Sequence, residues 1–261
     1  MSTDLVDCTI EAGVATLTLN NPPLNLVTLE LTARLDERLA ELERNDAVRV
    51  LVVTGAGTRA FCAGSDIAEF PQFTDPDLLM QRKIARENAV YSRLDDFPKP
   101  TIAAVRGLAF GGGLELAVCC DLLVVEANVR LALPEVKLGV IAGSGGTVRV
   151  TRRIGEGRAK ELMFLGEPID AQTALAWGLV NRVVARGEAL AAAADLAREL
   201  AQRPNKALQI CKRAIDLAFD MDEDGAIRRT LELSAAVFAT DDCKEGVRAF
   251  FAREKPRFTH R

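Results

Sequence analysis

The sequence predicts an α/β fold that ends in a helical region, and three observations carry that prediction. Short valine-rich runs such as "VRVLVVTG" (48–55) have the composition of strands buried on both faces. Between such runs lie stretches of helical period, and strands alternating with helices define the α/β class. After about Gly143 the pattern becomes mostly helical, and everything from Pro204 onward reads as amphipathic helix. A chain of 261 residues makes one large domain or one domain with an appendage. The division falls near residue 200, giving a core over 1–200 and a helical region over 201–261.

The elements follow in order. "DCTIEAGVATLTLN" (7–20) alternates on both sides of Glu11-Ala12-Gly13 and stops at Pro22-Pro23, which makes it a hairpin. From Thr28, a plausible N-cap, Leu31, Leu35, Leu39 and Leu42 are spaced for one face of a helix. The strand at 48–55 comes next, then a helix over 77–95 closed by Pro98 and Pro100. "TIAAVRG" (101–107) is a strand running into Gly111-Gly112-Gly113 and a short helix from about Leu114. "LLVVEA" and "RLALPE" are strands, as is "VNRVV" (180–184), and "GEALAAAADLARELAQ" is helical. No low-complexity segment or fixed-period repeat interrupts the pattern.

Composition excludes several classes of function. A net charge of -4 lacks the basic stripe of a nucleic-acid-binding surface. No apolar run reaches the ~18 residues of a membrane span. The acidic start "MSTDLVDCTIEAG" does not have the order of a signal peptide, so the expected location is the cytoplasm. The six cysteines form no C-x-x-C pair, and the adjacent Cys119 and Cys120 read as small core hydrophobes. His260 is the sole histidine and stands next to the C-terminus. Ser–His and Cys–His triads and His-rich metal sites therefore drop out, and acid–base chemistry falls to carboxylates, Lys, Tyr or Cys.

Three motifs compete for the chemistry. "TGAGTRA" after a buried strand imitates a dinucleotide fingerprint, with Asp75 twenty residues beyond Gly55. That fingerprint needs a helix to begin at its glycines, whereas "FCAGSD" follows without helical period, so a strand and a Gly-rich turn is the preferred reading. "AGSGG" (142–146) resembles a nucleophile elbow but has Ala142 where glycine is required and no histidine partner. The third is "GLAFGGGLELAVCCDLLVV" (107–125) taken with "AFCAGSDI" (60–67) and "LALPEVKLG" (131–139). A glycine run at a helix start exposes backbone N–H groups, and a second small-residue turn in "CAGSD" offers another; two such donors make an oxyanion hole. Glu115 in a first helical turn also complements the helix dipole, worth ~0.3–1 kcal/mol. Its apolar neighbours Leu114, Leu116, Ala117 and Val118 are unusual for a surface cap. Glu135, after Pro134, reads equally as a helix-start acid, and spacing does not show that the two carboxylates meet.

These stretches, with "ALAWGLVNRVV" and "FATDDCKEGVRAFFAREKPRF", resemble the crotonase superfamily, most closely its enoyl-CoA hydratase/isomerase family, over about residues 8–258. The resemblance implies a crotonase-type spiral of β-β-α units. It also implies a C-terminal α-helical trimerisation region, building a homotrimer or a hexamer formed as a dimer of trimers. It assigns Ser65 and Gly112 to the oxyanion hole, Glu115 and Glu135 to catalysis, and Gly143 to the pocket lining. Ala63, Asp66 and Ile67 fall on the segment that follows the coenzyme A chain. The implied reaction is hydration of a trans-2-enoyl-CoA thioester, with Glu115 orienting and deprotonating water and Glu135 delivering the proton to C2. The implied substrate is an acyl-CoA, with no metal or other cofactor, no nucleic acid and no membrane.

Departures from the family pattern bear on acyl-chain preference: Leu26-Val27 for Ala-Leu, Arg106 for Asn, Ala142 for Pro, and Leu114 for a smaller or sulfur-bearing residue. Arg59, Lys255 and Arg257 are candidates for the coenzyme phosphates or else solvated surface charges. Three alternatives remain: an enoyl-CoA isomerase using the same hole, a non-catalytic binding protein of the same fold, and a dehydrogenase built on "TGAGTRA".

Overall fold

The computed structural model describes residues 4–260. β1 (Val6–Glu11) and β2 (Val14–Leu19) form the expected hairpin. Glu11 pairs with Val14, so two residues make the turn, and Ala12 (φ 48) and Gly13 (φ 83) both take the left-handed conformation that a tight hairpin demands. α1 (Leu29–Glu43) starts where Thr28 accepts a hydrogen bond from the Leu31 amide at 3.1 Å, and it buries the predicted stripe Leu31, Leu35, Leu39 and Leu42.

β3 (Val50–Gly55) is buried throughout and is followed by a short β4 (Ala60–Cys62). The segment expected as one helix over 77–95 is α2 (Pro76–Leu79), a π turn (Met80–Ile84) and α3 (Ala85–Asp95). Then come β5 (Thr101–Val105), β6 (Leu108–Phe110), α4 (Gly112–Val118), β7 (Leu122–Glu126) and β8 (Arg130–Ala132). After a 3₁₀ turn (Glu135–Leu138) lie α5 (Gly146–Ile154), α6 (Glu156–Leu165), β9 (Ile169–Asp170), α7 (Ala171–Trp177) and β10 (Arg182–Val184). α8 (Ala189–Ala201), α9 (Asn205–Asp220), α10 (Glu223–Phe238) and α11 (Asp241–Ala252) complete the chain.

The strands build two sheets, ordered β1-β2-β3-β5-β7-β10 and β4-β6-β8-β9. The pairs β3/β4, β5/β6 and β7/β8 each give their first strand to the larger sheet and their second to the smaller, parallel to the preceding turn. The chain therefore winds as a spiral of β-β-α units.

Burial on both faces explains the unbroken apolar runs. Leu51, Val53, Ala103 and Val105 face the core that also holds α1 and α4. Val50, Val52, Ile102 and Ala104 face the alanine-rich side of α8, where Ala193, Ala197 and Ala201 allow close approach. Three strands, β4, β6 and β9, had no separate sequence signal. With two or three residues each, they lack the longer apolar run that marked the equally short β8 and β10. The short helix begins at Gly112 rather than Leu114, since glycine here serves close contact rather than termination.

Candidate active site

The glycine turn places the site. Gly111 has φ +52 and ψ −129, a backbone region essentially closed to side chains. Its amide donates to the Ala132 carbonyl of β8 at 2.9 Å, and its carbonyl accepts from the Leu114 and Glu115 amides. Gly113 lies against the Cys62 carbonyl of β4, where any Cβ would overlap the oxygen. β4, β6 and β8 thus hold the start of α4 from three sides.

The Ala63-Gly64-Ser65 turn abuts it. Gly64 accepts from the Val27 amide at 2.9 Å and Asp66 donates to the Val27 carbonyl at 2.9 Å, which fixes the backbone of Ser65 between them. A Cβ on Gly112 would lie 3.4 Å from the Ser65 amide nitrogen. Among the described residues, neither the Ser65 nor the Gly112 amide donates to a protein acceptor. Two unused N–H groups from separate turns therefore sit side by side.

Both sequence-nominated carboxylates reach this place. Glu115 is 3 % exposed, and its Oε1 accepts from the amides of Ser144 and Gly146, each at 2.8 Å. A Cβ on Gly146 would come 2.8 Å from Glu115 Cγ, so the loop closes tightly on the acid. Burial, more than anything else, pushes the Glu115 carboxyl up to about 7; the two amides resist this, and the charges of Glu135 and Glu87 add to it. Glu135 enters from the 3₁₀ turn after β8. Its Oε1 lies 3.2 Å from where a Gly111 Cβ would stand, and its buried Oε2 has no hydrogen-bond partner. Burial raises its carboxyl as well. Two raised carboxyls thus lie near the glycine turn, close enough that the charge of Glu135 helps raise Glu115.

Behind the site is a group that the sequence reading missed. Lys83 and Glu87 are 0 % and 1 % exposed and pair at 3.0 Å. Lys83 also pairs with Glu69 at 2.6 Å and donates to the Val27 carbonyl at 3.1 Å. Glu87 accepts from Ser65 Oγ at 2.7 Å and from Ser144 Oγ at 3.5 Å. Tyr91, fully buried one turn along α3, has a hydroxyl without a partner, 3.4 Å from the Cβ position of Gly112. A signal for these residues existed: 83, 87, 90, 91 and 94 make one helical stripe, and two of its positions are charged.

Of the remaining nominated residues, Ala63 and Asp66 flank the Gly64–Ser65 turn, and Asp66 caps the 3₁₀ segment Ile67–Gln72 by accepting from the Ala68 amide at 3.0 Å. Ile67 is half exposed beside it. The Gly143 carbonyl accepts from Asn88, and its Cβ position is 3.0 Å from the Ile84 side chain. Arg59, Lys255 and Arg257 are exposed. Lys255 and Arg257 line a surface depression with Glu245, Arg248 and Glu254. A cleft of about 840 Å³ opens beside residues 72–86, lined by Leu29, Phe73, Leu78, Arg82 and Arg86 among others, but not by either catalytic candidate. Cys119 and Cys120 are buried as expected, and burial holds the Cys120 thiol up at about 12.

A spiral of β-β-α units with a buried and a half-buried carboxyl, both raised, beside a glycine turn defines the class: a crotonase-fold protein. The family model described as enoyl-CoA hydratase/isomerase matches residues 9–261. The chain is 36% identical over 247 residues to the short-chain-enoyl-CoA hydratase of Clostridium acetobutylicum, covering 94% of both chains. It is 33% identical over 249 residues to the crotonyl-CoA hydratase of Syntrophomonas wolfei, covering 95% of both. The crystal structure of an enoyl-CoA hydratase from Bacillus anthracis superposes with a TM-score of 0.94 at 31% identity, covering 98% of this chain and all of that one. The chain belongs to the enoyl-CoA hydratase/isomerase family.

Proposed function

We propose that this protein hydrates a trans-2-enoyl-CoA thioester to the 3-hydroxyacyl-CoA. The observation that carries the reading is the meeting of two raised carboxyls, the buried Glu115 and the half-buried Glu135, at a turn whose Gly112 amide lies beside that of Ser65. The two N–H groups are placed to receive the thioester oxygen as it gains charge; one such donor is typically worth ~3–4 kcal/mol in the transition state.

Glu115 takes the role of base. Ser144 and Gly146 occupy its Oε1, leaving Oε2 free of protein donors among the described residues. That oxygen accepts a proton from water as the water oxygen bonds to C3, and the electron pair of the double bond moves onto the thioester as an enolate. Glu135, whose buried Oε2 has no partner, delivers a proton to C2 and regenerates the carbonyl. One hydrogen and one hydroxyl are added, and the two acids exchange protonation states through the added water. The chemistry calls on no metal or redox group, and coenzyme A enters as part of the substrate.

Names of relatives support the substrate class: both curated relatives cited above are hydratases of enoyl-CoA thioesters. The same reading makes residues 1–200 the catalytic core and 201–261 the oligomerisation region of a homotrimer or hexamer working in the cytoplasm. In its favour, α9–α11 expose Phe219, Leu231, Phe238, Phe250 and Phe251, large apolar side chains of the kind that mark protein–protein contacts when they cluster.

Loss of the conjugated-thioester absorbance of crotonyl-CoA tests the reading. Wild type is expected to turn over, and Glu115→Gln and Glu135→Gln to fall by at least about a hundredfold in kcat. Full activity in both variants, or isomerisation of 3-enoyl-CoA without uptake of water by the wild type, overturns it.

A further inference from the structure

Lys83 and Glu87 are an expensive pair to bury, since replacing a buried ion pair by apolar residues of similar volume is often neutral or stabilising. Their stabilising effect is therefore a poor reason for their presence, and their contacts offer a better one. The Glu87 carboxylate touches both halves of the site. Through Ser65 Oγ, at 2.7 Å, it holds the residue whose amide is a proposed donor to the thioester oxygen. Through Ser144 Oγ, at 3.5 Å, it holds the loop whose amides at Ser144 and Gly146 cradle Glu115.

Lys83 closes the arrangement into a ring. It bonds Glu87 at 3.0 Å and the Val27 carbonyl at 3.1 Å, and Val27 pairs with Ser65 in an isolated parallel β-bridge. Val27, Ser65, Glu87 and Lys83 thus hold one another in a closed cycle. Glu69 keeps Lys83 in register from the far side at 2.6 Å, and its own carboxylate receives the Leu29 amide at the start of α1. The π turn Met80–Ile84 shifts the phase of the helix at Lys83; such turns are frequent at functional sites.

We infer that Glu87 is a positioning residue that ties Ser65 to Ser144, so that the thioester-oxygen donor and the Glu115 cradle keep one fixed separation. This rests on the roles proposed above for Ser65 and Glu115. Glu87 touches no reacting atom; it acts through two serines.

Two double variants separate positioning from simple burial. Lys83→Met/Glu87→Gln removes both charges but keeps an amide that accepts from Ser65 Oγ and donates to Ser144 Oγ. Lys83→Met/Glu87→Leu removes both charges and both ties. The measurements are kcat and KM with crotonyl-CoA, the affinity for acetoacetyl-CoA read from its near-ultraviolet enolate band, and the affinity for free coenzyme A. The Leu variant is expected to lose about 10- to 100-fold in kcat and about 10-fold in acetoacetyl-CoA affinity, because small misplacements are costly in a preorganised site. Its KM and coenzyme A affinity are expected to stay within about threefold of wild type, and the Gln variant, which keeps both serine ties and loses only the Lys83 contacts, is expected to stay within about threefold of wild type throughout.

Equal kcat and equal acetoacetyl-CoA affinity in the two double variants overturns the inference. A wild type that fails to hydrate crotonyl-CoA, while the two variants still differ in binding acetoacetyl-CoA, overturns the hydratase reading and upholds the positioning role. Should a double variant not fold, Ser65→Ala keeps the backbone N–H and cuts only the tie to Glu87. Its kcat is expected to fall at least about threefold, and wild-type kcat there overturns the inference.

Discussion

Replacing Glu115 by glutamine is expected to leave the protein more stable and nearly inactive. The carboxyl is raised from its ordinary 4.5 to about 7, chiefly by burial. A raised acid binds its proton more tightly in the folded state, so between these two values the folded protein carries more proton than the unfolded chain. Stability from this group is therefore full below about pH 4.5, declines as pH rises, and is lost above about 7. At about 1.4 kcal/mol per pH unit, that interval amounts to roughly 3 kcal/mol of destabilisation by the ionised side chain.

Glutamine is always neutral and its carbonyl oxygen still accepts from the Ser144 and Gly146 amides, so the variant escapes this cost. Urea unfolding followed by the fluorescence of Trp177, the single tryptophan, measures the difference at matched protein concentration. The variant is expected to exceed wild type by roughly 3 kcal/mol at pH 8, and the gap to close toward pH 4.5. A variant no more stable than wild type at pH 8, or a gap that does not shrink on acidification, refutes the argument. Glu115 would then not be a carboxylate held charged against its surroundings.

The same raised carboxyl sets the acid limb of activity: kcat/KM is expected to rise with pH toward about 7 as Glu115 loses its proton, and a limb centred near 4.5 in the pH–rate profile contradicts this. Gly146→Ala puts a Cβ 2.8 Å from Glu115 Cγ, so crotonyl-CoA turnover is expected to drop about a hundredfold in a protein whose circular dichroism is native. Thr28→Ala removes the cap on α1, costing about 1 kcal/mol in urea unfolding with kcat unchanged. Leu35→Ala opens a cavity in the core beneath that helix, with an expected loss of about 2–5 kcal/mol by the same measurement.

Much of the fold was legible because its signals are local. Leu31, Leu35, Leu39 and Leu42 are periodic, Thr28 is a side-chain cap, and Val50–Gly55 is apolar on both faces because a sheet strand lies between two cores. The second sheet was legible only at β8. Its strands run two or three residues, and what defines the others is pairing with strands distant in sequence, such as Ala60 with Leu108. The site divides along the same line. Glu115 stood out because a charge sat in an apolar run. Glu135 alone was ambiguous, since what gives it meaning is Gly111 of the neighbouring turn. Lys83 and Glu87 posed the question Glu115 posed, a charge on the apolar stripe of a helix, but the stripe holds only Val90, Tyr91 and Leu94 besides the two charges, so the charges read as part of a polar helix face. A charge that breaks an apolar pattern is costly wherever it occurs, so each such position in a chain like this one points to something the charge must hold. Under the function proposed above, Glu115 would hold a water proton; Glu87 holds Ser65 and Ser144, the two hydroxyls that donate to it.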